Sequence, residues 1–284
     1  MKIALGTAQF NCKYGILNKG MYEHSIKKVL EDISDKISII DTAPSYYNAE
    51  IMIGKYLKKK KKIVTKINPF KFNNIRKNID LFKNDFEKSL KNMNTESIYG
   101  ILFHNPKNIL SKNITPFIKI LDDLKNQNII KKIGYSEYNF ENIEKYQKIY
   151  NFNLIQLPIN IFNTNINQIN KLLNLKKKYN LEIHARSIFL QGLGLCSINK
   201  VKKKFNKLKK KLEIFNNFTK NTGISNYDFL LSSVYNIKQI DACLIGISSK
   251  EHYDDLLNFK PIKNIYINNN FYIKDKKITD PRYW

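Results

Sequence analysis

Short β-rich, apolar runs alternate with longer amphipathic stretches along the whole chain, and this alternation constrains the fold more than any other feature. The runs are Lys2 to Leu5, Ile37 to Ile40, Lys62 to Thr65, Ser97 to Phe103, Ile129 to Tyr135, Asn153 to Leu157, Leu181 to Ala185 and Ala242 to Ile245. Helical periodicity is read over Tyr22 to Asp32, Ala49 to Leu57, Ile75 to Met93, Ile114 to Gln127, Phe140 to Ile149, Ile166 to Tyr179, a lysine-rich stretch from about Lys200, Tyr227 to Val234 and Lys250 to Leu257. Regular strand–helix alternation implies a parallel sheet. Eight such units imply closure into a (β/α)8 barrel, a TIM barrel of the α/β class, rather than an open sheet. The 284 residues suit one barrel of roughly 250 residues with a tail. No linker or composition break interrupts the chain, so residues 1–284 read as a single domain with a C-terminal extension from about Pro261. The extension is rich in aromatics, which keeps it ordered. Phe271, Tyr272, Tyr283 and Trp284 either line a pocket or pack on the barrel.

Composition narrows the function classes. No apolar run approaches the roughly 20 residues that cross a bilayer, and the start at Met1 lacks the apolar segment of a secretory signal. Cys12, Cys196 and Cys243 are odd in number and widely spaced, which argues for neither a disulfide framework nor a zinc site but for a reducing cytoplasm. Cys196 reads as a packing residue. Lys and Arg number 49 against 24 Asp and Glu, a formal charge of +25. Only Arg76, Arg186 and Arg282 are arginines, although arginine is the preferred reader of phosphates and base edges. Lys, Asn and Ile share A/T-rich codons, so base composition explains the lysine excess without a nucleic-acid or membrane partner. Lys58 to Lys62 read as solvated. Lys202 to Lys204, Lys207 and Lys209 to Lys211 read as an exposed helix face that could also steer a polyanionic cofactor. No motif specifies an oligomer.

Barrel enzymes carry their chemistry at the C-terminal ends of the strands. There the second run ends in Asp41, the third in Lys66 and the fourth in His104, with Tyr46 five residues after Asp41. Each has a plain alternative: a solvated lysine, a helix cap by Asp41 or Ser45, a structural histidine, a packing tyrosine. Their order on three consecutive strands favours chemistry. A phenol is protonated at neutral pH, with a reference pKa of about 10. A lysine cation beside it favours the phenolate, a carboxylate fixes the lysine, and a histidine orients a carbonyl oxygen. Such a site protonates an oxygen as negative charge develops on it, which suits carbonyl reduction by hydride transfer.

The motifs resemble those of the aldo/keto reductase superfamily over nearly the whole chain. Leu5-Gly6-Thr7-Ala8-Gln9-Phe10 resembles the opening strand, and Asp41-Thr42-Ala43 with Tyr46 and Glu50 resembles the DTA-x-x-Y-G-x-x-E signature. Lys66 and His104 match the rest of the family's tetrad. Ile133-Gly134-Tyr135-Ser136, Ile155-Gln156-Leu157-Pro158-Ile159-Asn160, Arg186-Ser187-Ile188-Phe189-Leu190-Gln191-Gly192 and Ile245-Gly246-Ile247-Ser248-Ser249 resemble later strands and their loops. The resemblance implies Tyr46 as general acid, Lys66 as its modulator, Asp41 as the anchor of Lys66, and His104 as the carbonyl binder. It implies NADPH or NADH as cofactor. Gly6 and Thr7 would lie under the nicotinamide, and Ser136 and Gln156 would hold its carboxamide. Phe189, Leu190, Gln191, Gly192 and Gly194 would wrap the pyrophosphate, with Ser248 and Lys250 at the adenosine end. Three positions depart from the family: Tyr47 replaces a glycine, Glu137 an asparagine, and Arg186 a ring that stacks on the nicotinamide. The family's basic pair for a 2′-phosphate falls near Gly246 and His252, with Lys250 close by. The expected activity is NAD(P)H-dependent reduction of an aldehyde or ketone. The Phe189-Leu190-Gln191-Gly192 and Asp280-Pro281-Arg282 motifs resemble relatives of sugar and surface-polysaccharide pathways, which implies a small, sugar-like carbonyl substrate. The alternative is a cofactor-binding regulatory protein with little turnover.

Overall fold

The computed structural model describes residues 2–13, 20–201 and 205–284. Among these residues eight strands, β1 Lys2–Gly6, β2 Ile37–Asp41, β3 Lys62–Ile67, β4 Ile98–Phe103, β5 Ile130–Ser136, β6 Leu154–Pro158, β7 Glu182–Arg186 and β8 Ala242–Gly246, pair in chain order, all parallel, and close β8 onto β1. The helices are α1 Glu23–Glu31, α2 Ala49–Tyr56, α3 Ile75–Asn92, α4 Thr115–Asn126, α5 Ile143–Gln147, α6 Ile166–Tyr179, α7 Asn206–Thr222, α8 Asn226–Tyr235, α9 Lys250–Asn258 and α10 Lys276–Thr279. No helix among the described residues is long and apolar enough to cross a membrane.

Several strands run further toward their C-terminal ends than apolar patterning indicates. Asp41, Lys66, Ser136 and Arg186 all lie inside the ladders. A polar residue ends an apolar run, but its backbone still pairs with a neighbouring strand: Asp41 with Gly6 and Val64, Lys66 with Leu102, Ser136 with Gln156 and Arg186 with Pro158. Two helices are shorter than expected. Phe140 to Ile149 splits into a 3-10 turn, Phe140–Asn142, and the five-residue α5. Asn139 caps the turn by accepting from the Glu141 amide at 3.3 Å. The lysine-rich helix begins at Asn206 rather than Lys200, and Lys202 to Lys204 lie outside the described residues.

Side chains alternate across each strand. Ala4, Ile39, Val64, Leu102, Leu154 and Ala242 form an apolar layer inside the barrel, and the larger core lies between strands and helices. Below the inner layer, at the N-terminal end, Glu182 accepts from the Tyr99 hydroxyl and contacts His184 Nε2 at 2.9 Å. Lys132 Nζ lies 3.7 Å from the same carboxylate. The run Lys58 to Lys62 is not wholly solvated. Lys61 is packed and donates to the Ser34 carbonyl at 3.0 Å, and Lys62 Nζ sits 4.1 Å from the centre of the Tyr99 ring. Half-buried stems of this kind are favourable because only the ammonium needs water.

Residues beyond Pro261 wrap back over the barrel. Phe271 is buried in a cluster of rings with Phe215, Phe218 and Phe229. The Ile273 amide donates to the Phe162 carbonyl at 2.9 Å, and Lys211 Nζ donates to the Asn270 carbonyl at 3.0 Å. Trp284 packs edge-on against Phe205 at 5.1 Å, whereas Tyr283 is exposed.

Gly134 faces the barrel interior where β5 meets β6. A Cβ there would lie 1.7 Å from the Leu154 carbonyl oxygen, and backbone cannot yield as a side chain can. We expect Gly134→Ala to cost about 3 kcal/mol, the upper end of overpacking penalties, read as a lowered urea midpoint. An unchanged midpoint would show that β5 and β6 can separate without loss.

Candidate active site

Strand alternation stacks Asp41 above Ile39, Lys66 above Val64, Ser136 above Gly134, Gln156 above Leu154 and Arg186 above His184, all on the inner face. His104 directly follows β4. Asp41 and Lys66 are only 2% and 3% exposed. Lys66 Nζ donates to Asp41 Oδ1 at 2.7 Å and to the Thr42 carbonyl at 2.8 Å. Gln156 Nε2, from across the barrel, donates to the other carboxylate oxygen. The Thr7 hydroxyl donates to the Asp41 carbonyl at 3.0 Å. Gly6 pairs with Asp41 on one side and Gly246 on the other. A buried charge is retained only when paired and hydrogen-bonded, and both conditions hold here. Burial alone would push the Lys66 pKa down; the Asp41 carboxylate and the Tyr46 hydroxyl together more than offset it, so the pKa is raised and the ammonium persists. Neither Asp41 nor Ser45 caps a helix, because Asn48 occupies the cap position of α2.

Tyr46 stands on the turn after β2. Its amide donates to the Ala43 carbonyl at 3.0 Å, and the Ala49 amide donates to its carbonyl at 2.8 Å. Lys66 Nζ lies 4.8 Å from the centre of its ring. The His104 ring lies edge-on to it, 6.1 Å between centroids. Tyr46, Lys66, Asp41 and His104 therefore converge. Burial, then the Lys66 cation, then Arg186 hold the His104 pKa down at about 4, with Asp41 opposing, so the imidazole is neutral at physiological pH. Tyr47 has φ +44° and an exposed side chain, so the backbone keeps a left-handed bend that glycine adopts without cost.

Beside the tetrad, Arg186 Nε donates to Ser136 Oγ at 3.2 Å. That hydroxyl accepts there and keeps its own proton to donate. Gln156 uses its amide nitrogen on Asp41, and its Oε1 is buried with no hydrogen-bond partner among the described residues. One hydroxyl donor and one orphaned acceptor, on paired residues of β5 and β6, match the oxygen and the nitrogen of a carboxamide. The residues present fit the nicotinamide end of NAD(P)H. The Glu137 carboxylate faces the loop instead, accepting from the Tyr138 and Asn139 amides at 2.5 and 3.0 Å. After β7 the backbone is left-handed at Ser187, Leu190, Gln191 and Gly192. Only the last is a glycine, and strain of this kind concentrates at functional loops. The Phe189 carbonyl accepts from the Gly192 and Gly194 amides at 2.9 and 3.1 Å. Gly194 is buried; a Cβ there would come within 2.7 Å of Leu230, so its lack of a side chain serves packing. At α9, Ser248 Oγ contacts His252 Nδ1 at 3.1 Å, and Lys250 pairs with Asp254 one turn on.

Sequence reasoning missed three features here: the Gln156–Asp41 bond, the left-handed Leu190 and Gln191, and the commitment of Glu137 to its own loop. The only signal for the last was the Asn139 and Asn142 pair downstream, which reads as a turn.

Tyr47→Gly should stabilise the fold by up to about 1 kcal/mol, because relief of a left-handed side chain exceeds the added chain entropy; thermal denaturation reads it. His104 should titrate near pH 4 by NMR, below the ordinary value of 6.5, and Arg186→Gln should raise its midpoint. The native state thus takes up this proton later than the unfolded chain. The stability it contributes is present above pH 6.5 and is lost as pH falls toward 4. A midpoint near 6.5 would contradict the burial and cation arguments together.

The family model of the aldo/keto reductase family matches residues 2–264. Among solved structures, the chain is similar to the glycerol dehydrogenase of Gluconobacter oxydans, at 19% identity and a TM-score of 0.67, over 95% of this chain and 88% of that one. It is also similar to an aldo-keto reductase of Bacillus halodurans in its holo form, at 17% identity and a TM-score of 0.69, over 92% and 88% of the two chains. No curated protein matches the sequence. The match across nearly all of the barrel, together with eight parallel strands closed in chain order, identifies the chain as a member of the aldo/keto reductase family of NAD(P)-dependent oxidoreductases.

Proposed function

We propose that this protein reduces a small aldehyde or ketone of sugar-like character to the alcohol, with NADPH as the preferred cofactor and Tyr46 as the general acid. The observation that carries the proposal is the convergence of Tyr46 and His104 on a buried, fully paired Lys66–Asp41 couple. When bound, the reduced nicotinamide supplies a hydride for the carbonyl carbon. Tyr46 gives its phenolic proton to the carbonyl oxygen as charge gathers there. Lys66, held by Asp41 and the Thr42 carbonyl, stabilises the phenolate that remains. His104, a neutral imidazole, has a ring N–H to donate to the same oxygen. Ser136 and Gln156 hold the carboxamide, with Gly6 and Thr7 beneath the ring.

The pyrophosphate is assigned to the loop Phe189, Leu190, Gln191, Gly192 and Gly194, and the adenosine phosphate to Ser248, Lys250 and the N-terminus of the nine-residue α9. The Lys250–Asp254 pair is half-exposed and contributes a few tenths of a kcal/mol. A 2′-phosphate competes readily for such a lysine, which is the basis for preferring NADPH. The sugar-like substrate rests on the Phe189-Leu190-Gln191-Gly192 and Asp280-Pro281-Arg282 motifs.

The test is loss of absorbance of NADPH, and separately NADH, with a panel of aldehydes, ketones and aldoses. We expect Tyr46→Phe to lower kcat about 10²- to 10⁴-fold, the range for a positioned acid, with unchanged cofactor affinity by fluorescence. Lys250→Gln should weaken NADPH more than NADH. Tight cofactor binding by wild type without turnover would favour the regulatory reading, and wild-type rates in Tyr46→Phe would contradict the assignment of the acid.

A further inference from the structure

Two of the three arginines of the chain meet on one ring. The Arg186 guanidinium carbon lies 4.1 Å from the centre of Tyr138, and that of Arg282 lies 3.9 Å from the same centre. Arg186 belongs to β7 and the inner face of the barrel mouth; Arg282 lies in the chain's final turn, Pro281–Tyr283.

Among the described residues Arg186 has no carboxylate partner. It donates to Ser136 Oγ at 3.2 Å, Ser187 Oγ at 3.4 Å and the Glu137 carbonyl at 3.3 Å. These are neutral acceptors at the long end of hydrogen-bond distances, and they fix a long side chain poorly. The Tyr138 ring is its remaining support. That ring is held by its own loop, where the Glu137 carboxylate accepts from the Tyr138 and Asn139 amides at 2.5 and 3.0 Å and from Asn142 Nδ2 at 3.1 Å. The tail supplies the second support. Asp280 grips Arg282 in a fork, with Nε 3.0 Å from both carboxylate oxygens and Nη2 2.6 Å from one. Lys276 Nζ also donates to Asn139 Oδ1 at 3.2 Å, and Trp284 Nε1 donates to the Ile278 carbonyl at 3.2 Å. Two guanidinium cations on one ring repel each other; the Asp280 fork neutralises the outer one and lets both stay.

We propose that Arg282 is a positioning residue for the nicotinamide end of the cofactor site, acting through Tyr138 and Arg186 on the Ser136 hydroxyl. This inference rests on the assignment of Ser136 to the carboxamide. With Arg186 fixed, Ser136 Oγ accepts from it and the hydroxyl proton is aimed at a second acceptor, the carboxamide oxygen. Without Arg282, Tyr138 loses one of its two cation contacts, Arg186 is free to leave Ser136, and the hydroxyl turns at random. The docked tail is thereby part of the cofactor site without touching the cofactor.

The experiment uses the full chain and two probes, NADPH followed by its fluorescence and 2′,5′-ADP, which lacks the nicotinamide, followed by calorimetry. Arg282→Gln and Tyr138→Leu should each weaken NADPH about three- to tenfold, the scale of one partly desolvated cation–π contact, and leave 2′,5′-ADP unchanged. Tyr138→Phe keeps the ring and should bind NADPH as wild type does. Should Arg282→Gln not fold, Arg282→Met keeps much of the length but removes the cation and should show the same selective loss. Wild-type NADPH affinity in both Arg282→Gln and Tyr138→Leu would overturn the proposal, and so would equal weakening of both probes, which signals general loosening. If wild type binds neither NADPH nor NADH, the cofactor assignment falls and this inference with it. If wild type binds and Tyr46→Phe abolishes turnover, an unaffected Arg282→Gln overturns the tail's role alone.

Discussion

The buried ion pair of Lys66 and Asp41 is the interaction on which the rest of the site depends. Removing either partner leaves an uncompensated charge inside the barrel, which typically costs about 3–5 kcal/mol. The pair ties β3 to β2, and Gln156 extends the tie across the lumen to β6. Lys66 and Asp41 sit on neighbouring strands, whereas Gln156 reaches Asp41 only because the sheet is closed. The closed barrel brings the donors together, and the donors in turn remove the penalty of ending several strands in polar residues. Beneath them the layer of Ala4, Ile39, Val64, Leu102, Leu154 and Ala242 separates the site from the ionic cluster of Glu182, Lys132 and Tyr99 below. Fields inside such a lining are stronger than in water.

The charge arrangement has a direction. Lys66 is neutralised by Asp41, His104 is held uncharged, and Arg186 keeps a positive charge that, among the described residues, donates only to neutral oxygens. The site is thus positive toward its mouth and suited to negative charge developing on an oxygen. Backbone strain gathers around the same mouth, at Tyr47 after the turn that carries Tyr46 and at Ser187, Leu190 and Gln191 after β7. Such residues persist only where their surroundings hold them. Here Phe189 stacks on Tyr227 at 5.2 Å, and Asn226 Nδ2 donates to the Gly194 carbonyl.

Much of this was legible in the sequence because it depends on short-range pattern. Eight β-rich runs between helical stretches require a closed parallel sheet once consecutive strands pair. Asp41, Lys66 and His104 could be placed at one end because each terminates an apolar run. The strand ends themselves were under-read at Ser136 and Arg186, where apolar patterning stops but backbone pairing continues. Long-range contacts left no local trace. Gln156 reaches Asp41 over 115 positions, and nothing near Gln156 announces a carboxylate partner. Arg282 and Tyr138 are equally remote, so the tail's route to the barrel mouth is written only in three dimensions. Leu190 and Gln191 carry no glycine signature for the left-handed backbone they adopt. The lysine runs misled in the opposite sense: Lys61 and Lys62 are packed although their composition reads as solvent-facing.

The central claim is that Lys66 and Asp41 act as one unit on Tyr46. The most direct test is a double-mutant cycle of Lys66→Met and Asp41→Asn, read in kcat for carbonyl reduction at saturating NADPH. If the pair is one unit, the double variant loses no more rate than the worse single variant, as groups that act together are strongly non-additive. Losses that multiply in the double variant would show two independent contributions and contradict the account.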